Sequence, residues 1–424
     1  MVIVQKRQLN CGFGFSQFYK CGNVGLRHRR PTSRSGSSVM ISELPDRETS
    51  SAVTIPSVAN VGSINTDDPR TLEEMGNSKH SRGRFEEALV LHDRAIAIDP
   101  EEASYWINKA VTLARMGRLL EAMEHCKEAA KIDPSYLRTH HQLSTLYLRL
   151  GCPVKALHHR QLSGPFSSPR DFTKIHVLQS HLQKSTEARL RKDWNIVIRE
   201  AMSAISAGAD SAPQVVAAQA EALLNLQRHE EADMVLKAAA TFDPNGDLFD
   251  APTTAYILAV EAQVNLALGR FDDAVTKVKM AVRVDPNNRE AAKIAMKIHV
   301  TVSCRNRGND LFQNSKFVEA CAAYKEGLQL VTHNSVLYCN RAACRLKLGQ
   351  HEEAVQDCNM ALRLQPSYRK ARLRRADCNT MMVKWEAARR DYLVLIQDNP
   401  DDEEVRAGLE WATINIVEKR KHMS

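Results

Sequence analysis

The stretch RGRFEEALVLHDRAIAIDP, residues 82–100, decides the fold. Gly83 suits the cap that ends one helix, because it takes the left-handed backbone without a Cβ penalty. Ala88 and Ala95 are seven residues apart, so they share one face of the next helix and let a neighbouring helix approach closely. Pro100 lacks an N–H and disfavours helix in the residue before it, which stops the segment. A turn, a helix with a small-residue face and a stop make up half of an antiparallel helix pair.

The same pattern returns on either side with a 34-residue period. For units starting at 69, 103, 137, 178, 213, 255, 301, 335 and 369, the twentieth position is Ala88, Ala122, Ala156, Val197, Ala232, Ala274, Ala320, Ala354 and Ala388. Eight alanines in nine units are too regular for chance. The thirty-second position is proline in six units (Pro100, Pro134, Pro244, Pro286, Pro366 and Pro400). MGRLLEA, LGRFDDA and LGQHEEA supply inter-helix turns, with Gly117, Gly269 and Gly349 capping the first helix of each pair.

Composition agrees with helices. The 424 residues are 43% apolar but only 6% aromatic, which favours helices packed through small side chains over a sheet core. The net charge of +8 is modest for this length and partly concentrated in the first forty residues, so nucleic acid is not an expected partner. None of the ten cysteines forms a CxxC pair or falls at a Cys/His ligand spacing; Cys126, Cys321 and Cys358 read as small buried thiols of a reducing compartment, and no metal or other cofactor is expected. No run of eighteen apolar residues would span a membrane. Residues 1–42 carry seven Lys/Arg and no acid, and 29–38 and 49–63 (RRPTSRSGSS and TSSAVTIPSVANVGS) are rich in Ser, Gly and Pro. Residues 1–68 therefore read as a disordered tail, an organelle transit peptide being the alternative. No paired carboxylates, nucleophile–base motif or phosphate loop is present, so an enzyme is not expected. His140-His141 and His158-His159 are neighbours diverging by about 100° on helices and read as surface histidines.

The period resembles the tetratricopeptide repeat: Gly76, Ala88, Ala95 and Pro100 match its consensus in the first unit, and Trp106 falls on the consensus tryptophan of the second. The resemblance covers 69–402 and implies an all-α, right-handed superhelical solenoid of about nine repeats. Breaks in the rhythm divide it into a first block (69–172) ending in GPFSSPRDF, a divergent second block (173–300) with an extra helical stretch at 289–300, and a third block (301–402). Residues 403–424 read as an amphipathic capping helix, with Val405, Leu409, Ala412 and Ile416 on one face, and a short tail.

First helices of such repeats line the concave face. In the third block Arg305, Asn309, Asn340, Lys370 and Arg374 fall there, within CRNRGND, LYCNRAA and YRKARLRRA. Arg305 and Asn309, like Lys370 and Arg374, are four apart and share a helix face. Three cations and two amides facing one groove call for an anion such as a peptide's terminal carboxylate with an aspartate side chain. The set resembles the dicarboxylate clamp of co-chaperone tetratricopeptide domains, which implies the C-terminal EEVD of heat shock protein 90 and heat shock protein 70 as ligand. It departs from that clamp at Arg305, where lysine is usual. Phe312 is a candidate apolar pocket for the upstream residue, with core packing the equal alternative. The equivalent first-block positions are Glu73, Asn77, Asn108, Arg138 and Gln142, which would hold a terminal carboxylate poorly; those of the second are Leu182, Thr186, Ala218, Tyr256 and Val260.

RGRFEEALVLHDRAIAIDP, LGRFDDAV, RGNDLF, YCNRAACRLKLG and PSYRKARLRRA together resemble the plant tetratricopeptide-repeat thioredoxin-like proteins. In that family a thioredoxin-like domain follows the repeats; no WCxxC occurs before Ser424, so redox function does not carry over. The resemblance implies a cytoplasmic scaffold linked to chaperones, stress and hormone signalling. The alternative is a chaperone-independent scaffold whose grooves take peptides or helices of a client.

Overall fold

The computed structural model describes residues 68–239 and 242–421; the expected N-terminal tail and transit reading, and the end at 422–424, lie outside them. The described residues fall in one compact unit, 65–424. They are all-α, and the helices pair in sequence order as a right-handed superhelical solenoid. The pairs are α1 (Pro69–Ser81) with α2 (Phe85–Ile98), α3 (Ala103–Arg115) with α4 (Leu119–Ile132), and α5 (Leu137–Arg149) with α6 (Pro153–Leu162). Next come α7 (Pro169–Leu190) with α8 (Trp194–Ser206), α9 (Pro213–Asn225) with α10 (His229–Ala238), and α11 (Ala251–Ala267) with α12 (Phe271–Val284). The last are α13 (Arg289–Gln313) with α14 (Phe317–Leu330), α15 (Ser335–Lys347) with α16 (His351–Leu364), and α17 (Arg369–Met381) with α18 (Trp385–Asp398), followed by α19 (Glu403–Lys421).

The alanine register is the seam of every pair. All nine side chains at the twentieth position, Val197 included, are 0% exposed. The turn between paired helices needs one residue with positive φ. Gly83, Gly117, Gly151, Gly269 and Gly349 supply it in five pairs, and Lys192, Gln227, Ser315 and Val383 adopt the same conformation at φ near 60° in the others. Larger side chains on second helices find room against glycines on first helices: the His92 ring lies over Gly76 and the Tyr324 ring over Gly308, sixteen residues apart in both cases.

Two boundaries differ from the sequence reading. GPFSSPRDF is not wholly a break: a 3-10 turn covers Gly164–Phe166, and α7 begins at Pro169 behind a capping box of Ser168 and Asp171. The stretch 289–300 is helical but not an extra element, because α13 runs unbroken through 25 residues. Its first nineteen residues contain no proline or glycine, so nothing stops the helix before buried Gly308. The loop after α10 reaches back to the first repeats: Leu248 is 7% exposed among Tyr147, Leu150 and Cys152, and Lys127 pairs with Asp247 at 2.8 Å. The capping helix packs on α18 through Val405, Leu409 and Ala412.

The histidines are not plain surface residues. His140 and His159 stack, with their Nδ1 atoms 3.0 Å apart, and His141 meets Arg160 at 2.7 Å. The cause is the α5–α6 crossing, which brings the two pairs together. Burial, then His140 and His158, lowers the His159 pKa to about 4. Eight free cysteines are described; six are buried, and Cys152 and Cys321 are half-buried. Among the described residues no helix is long and apolar enough to cross a membrane.

Candidate functional site

The five expected side chains come from α13, α15 and α17, the first helices of three successive repeats. Asn309 and Asn340 meet directly: Asn340 Nδ2 donates to Asn309 Oδ1 at 3.4 Å, linking α13 to α15. The buried Tyr324 hydroxyl donates to the same oxygen at 2.7 Å. Two bonds to Oδ1 fix the orientation of the Asn309 amide. Arg374 crosses from α17 to α15, its Nη1 donating to the Cys339 carbonyl at 2.6 Å, one residue before Asn340. Arg305 lays its guanidinium over the Phe271 ring at 4.7 Å and donates to Asn306 at 3.1 Å. Lys370 is exposed, one helical turn from Arg374, with no ion pair or hydrogen bond among the described residues.

The structure brings Asn309 and Asn340 into direct contact and sets Arg374 against the Cys339 carbonyl beside Asn340, while Arg305 and Lys370 lie one turn before Asn309 and Arg374 on α13 and α17. All five present N–H groups, a chemistry suited to an anion rather than to a base or a metal. Phe312 stands apart: it is 6% exposed and meets Phe317 edge-on at 5.2 Å, so of its two roles core packing is the one realised. Asp377, one turn beyond Arg374, accepts from the Tyr392 hydroxyl at 3.1 Å; burial pushes its carboxyl up to about 6, against the pull of Arg374.

Three supporting residues escaped the sequence reading: Tyr324, Cys339 and Phe271. For Tyr324 a signal existed, since Asn309/Tyr324 and Asp377/Tyr392 share a fifteen-residue spacing two repeats apart.

The first block is built differently. Asn108, counterpart of Asn340, donates to Glu73 at 2.5 Å, an acid standing where the third block has Arg305. In the middle block Val260 is 1% exposed and belongs to the core, and Tyr256 donates to Glu221 at 2.7 Å. Among the described residues no group of three or more His, Cys, Asp or Glu is placed to hold a metal ion.

The tetratricopeptide repeat family matches residues 73–136 and 335–368. Inactive TPR repeat-containing thioredoxin TTL3 of Arabidopsis thaliana is 45% identical over 361 residues, 84% of this chain and 52% of that protein. TPR repeat-containing thioredoxin TTL4 of the same plant is 43% identical over 351 residues, 81% of this chain and 52% of that protein. The chain therefore spans about half the length of these relatives. The crystal structure of the P58(IPK) TPR domain covers 83% of this chain and 99% of its own with a TM-score of 0.51 at 16% identity, a likeness of fold alone.

Proposed function

Because the chain belongs to the tetratricopeptide-repeat proteins, with the repeat array of the plant TPR repeat-containing thioredoxins, we propose that it is a non-enzymatic chaperone-binding adaptor of the cytoplasm. Its third block grips the C-terminal EEVD of heat shock protein 90 or 70. Arg305, Asn309 and Asn340 take one carboxylate, and Lys370 and Arg374 the other. The observation that carries this reading is a set of N–H donors in which Tyr324 and Asn340 orient the Asn309 amide and Lys370 stands exposed. A carboxylate entering it gains charge-assisted hydrogen bonds worth about 1.5–3 kcal/mol each. The first block is not the reader of this ligand, because Glu73 would face the carboxylate and already occupies Asn108.

The test is calorimetric titration of the full chain with a peptide ending in EEVD, as free acid and as amide. Lys370→Glu is the informative variant, since an exposed lysine is replaced at little cost to folding. Amidation and Lys370→Glu should each weaken binding at least tenfold, the equivalent of about 1.4 kcal/mol. Equal affinity for acid and amide would refute the clamp.

A further inference from the structure

The middle repeats enclose a second site of different chemistry. A cavity of about 420 Å³ opens between α7, α8, α9 and the start of α11, walled by Leu182, Ala204, Val215, Ala218 and Pro252 and closed on one side by Tyr256. Its size falls in the range of small-ligand sites, about 300–1,000 Å³. Leu182, Thr186 and Ala218 are the residues that stand in this block where the third block carries its cation and amides.

The charges around the cavity are already committed. Arg189 donates to Glu221 at 2.6 Å and to Glu290 at 2.7 Å, and its guanidinium lies over the Tyr256 ring at 4.5 Å. The Tyr256 hydroxyl donates to the same Glu221 carboxylate. On the opposite wall His181 Nδ1 sits 2.8 Å from Glu200, which Arg199 approaches at 3.4 Å. At the Arg189 edge two carboxylates (Glu221, Glu290) stand against one guanidinium, a surplus of one negative charge on that side of the rim. A terminal carboxylate finds neither a spare cation nor a favourable potential here. An apolar side chain with a base beside it finds both a lined cavity and an acidic rim.

We propose that this cavity is a docking site for an internal segment of a partner protein, which inserts one leucine-sized aliphatic side chain and carries a lysine or arginine next to it. The assignment stands independently of the clamp: it uses different helices, and it reads a side chain rather than a chain end. The array would then hold two ligands of opposite charge preference, an acidic terminus in its third block and a basic, apolar internal segment in its second.

The test uses the full chain and acetylated, amidated twelve-residue peptides containing one Leu-Lys pair in a Gly/Ser/Ala background, with a Leu→Ser sibling. Binding is followed by saturation-transfer NMR and titration. Ala218→Trp fills the cavity from α9. Thr186→Arg, at an exposed position, sets a cation at the mouth with little demand on folding, and circular dichroism checks both variants. The Leu-Lys peptide should bind saturably to the wild type and to Lys370→Glu, and at least tenfold more weakly to both cavity variants; the sibling should bind at least tenfold more weakly to the wild type. Absence of saturable binding, equal binding of the sibling, or undiminished binding to folded Thr186→Arg overturns the proposal. So does loss of binding in Lys370→Glu, which would move the peptide to the third block.

Discussion

Gly308→Ala tests how packing in the third block is tied to its groove. Gly308 is buried in α13, and a Cβ there would lie 2.5 Å from Cε1 of Tyr324 and 2.8 Å from Cδ1 and Cζ. On helix propensity alone, alanine is better than glycine by about 1 kcal/mol. Contacts this short cannot persist, so the Tyr324 ring, 0% exposed, must shift against its packed neighbours. Overpacking of this kind costs about 1–3 kcal/mol. A displaced ring also takes its hydroxyl from Asn309, a 2.7 Å bond worth about 1 kcal/mol. The opposing contributions leave a net loss of about 1–3 kcal/mol in the α13–α14 pair. A nine-repeat array need not unfold in one step, so the readout is local: amide hydrogen exchange across α13 and α14, read by mass spectrometry. Exchange there should accelerate while the first repeats stay unchanged, and affinity for the EEVD peptide should fall severalfold as the Asn309 amide loses its orientation. Tyr324→Phe separates the two effects by keeping the ring and deleting the hydroxyl; affinity should fall with little change in exchange. Slower exchange in Gly308→Ala with undiminished affinity would refute the reasoning, because propensity would then have outweighed the steric conflict.

Val383 holds φ at 62° and is 59% exposed; Val383→Gly should stabilise the ninth repeat by about 0.5–1 kcal/mol, the relief of left-handed strain less the added freedom of the unfolded chain, seen as slower exchange in α17 and α18. Asp357 is 2% exposed and bonds Arg341 at 2.6 and 2.9 Å and Arg345 at 2.7 Å; Asp357→Asn should cost about 3–5 kcal/mol by leaving two guanidiniums facing a neutral group, and a loss under about 1 kcal/mol would show that they rearrange without penalty. His92 is 0% exposed, and burial, then the charge of His80, lowers its pKa to about 4. Between pH 6.5 and 4 the unfolded chain binds a proton at this residue that the folded chain refuses, so stability present above 6.5 drains away as pH falls to 4, by up to about 3 kcal/mol. Replacing the ring by His92→Leu should flatten the acid limb of exchange in α1 and α2, and an unchanged limb would assign the titration to other groups.

How much of this was legible in advance depends on whether a feature repeats. The seam alanines did: a contact that recurs in every pair must recur in sequence, and each position so identified is fully buried. The turns were only half legible, because four of the nine use Lys192, Gln227, Ser315 and Val383 in the conformation expected of glycine. There the neighbouring helices dictate the backbone, and the residue bears the strain. The continuity of α13 was hidden by reading a repeat start as a helix start. Contacts off the period, such as Leu248 against Tyr147, carry no local signal. In the groove, i,i+4 spacing placed Arg305 with Asn309 and Lys370 with Arg374, but the groups that orient them lie on other helices. Cys339 and Phe271 support Arg374 and Arg305 only because of how the repeats stack, and that rotation is set by packing over the whole array.

The unbroken α13 has one more consequence. Glu290, which ties Arg189 at the edge of the middle cavity, and Arg305, which opens the terminal cradle, stand on the same rod, separated by fifteen residues or about 22 Å of helix. A rod of this kind sets a fixed distance and angle between the two proposed sites, as a ruler does. Molecules held at both are aligned by the geometry of the host, and a tethered pair matching that span gains from its raised local concentration without any new contact. One alanine inserted after Ile298 would lengthen the rod by about 1.5 Å and turn its far end by about 100°, uncoupling the two ends while leaving the residues at each intact.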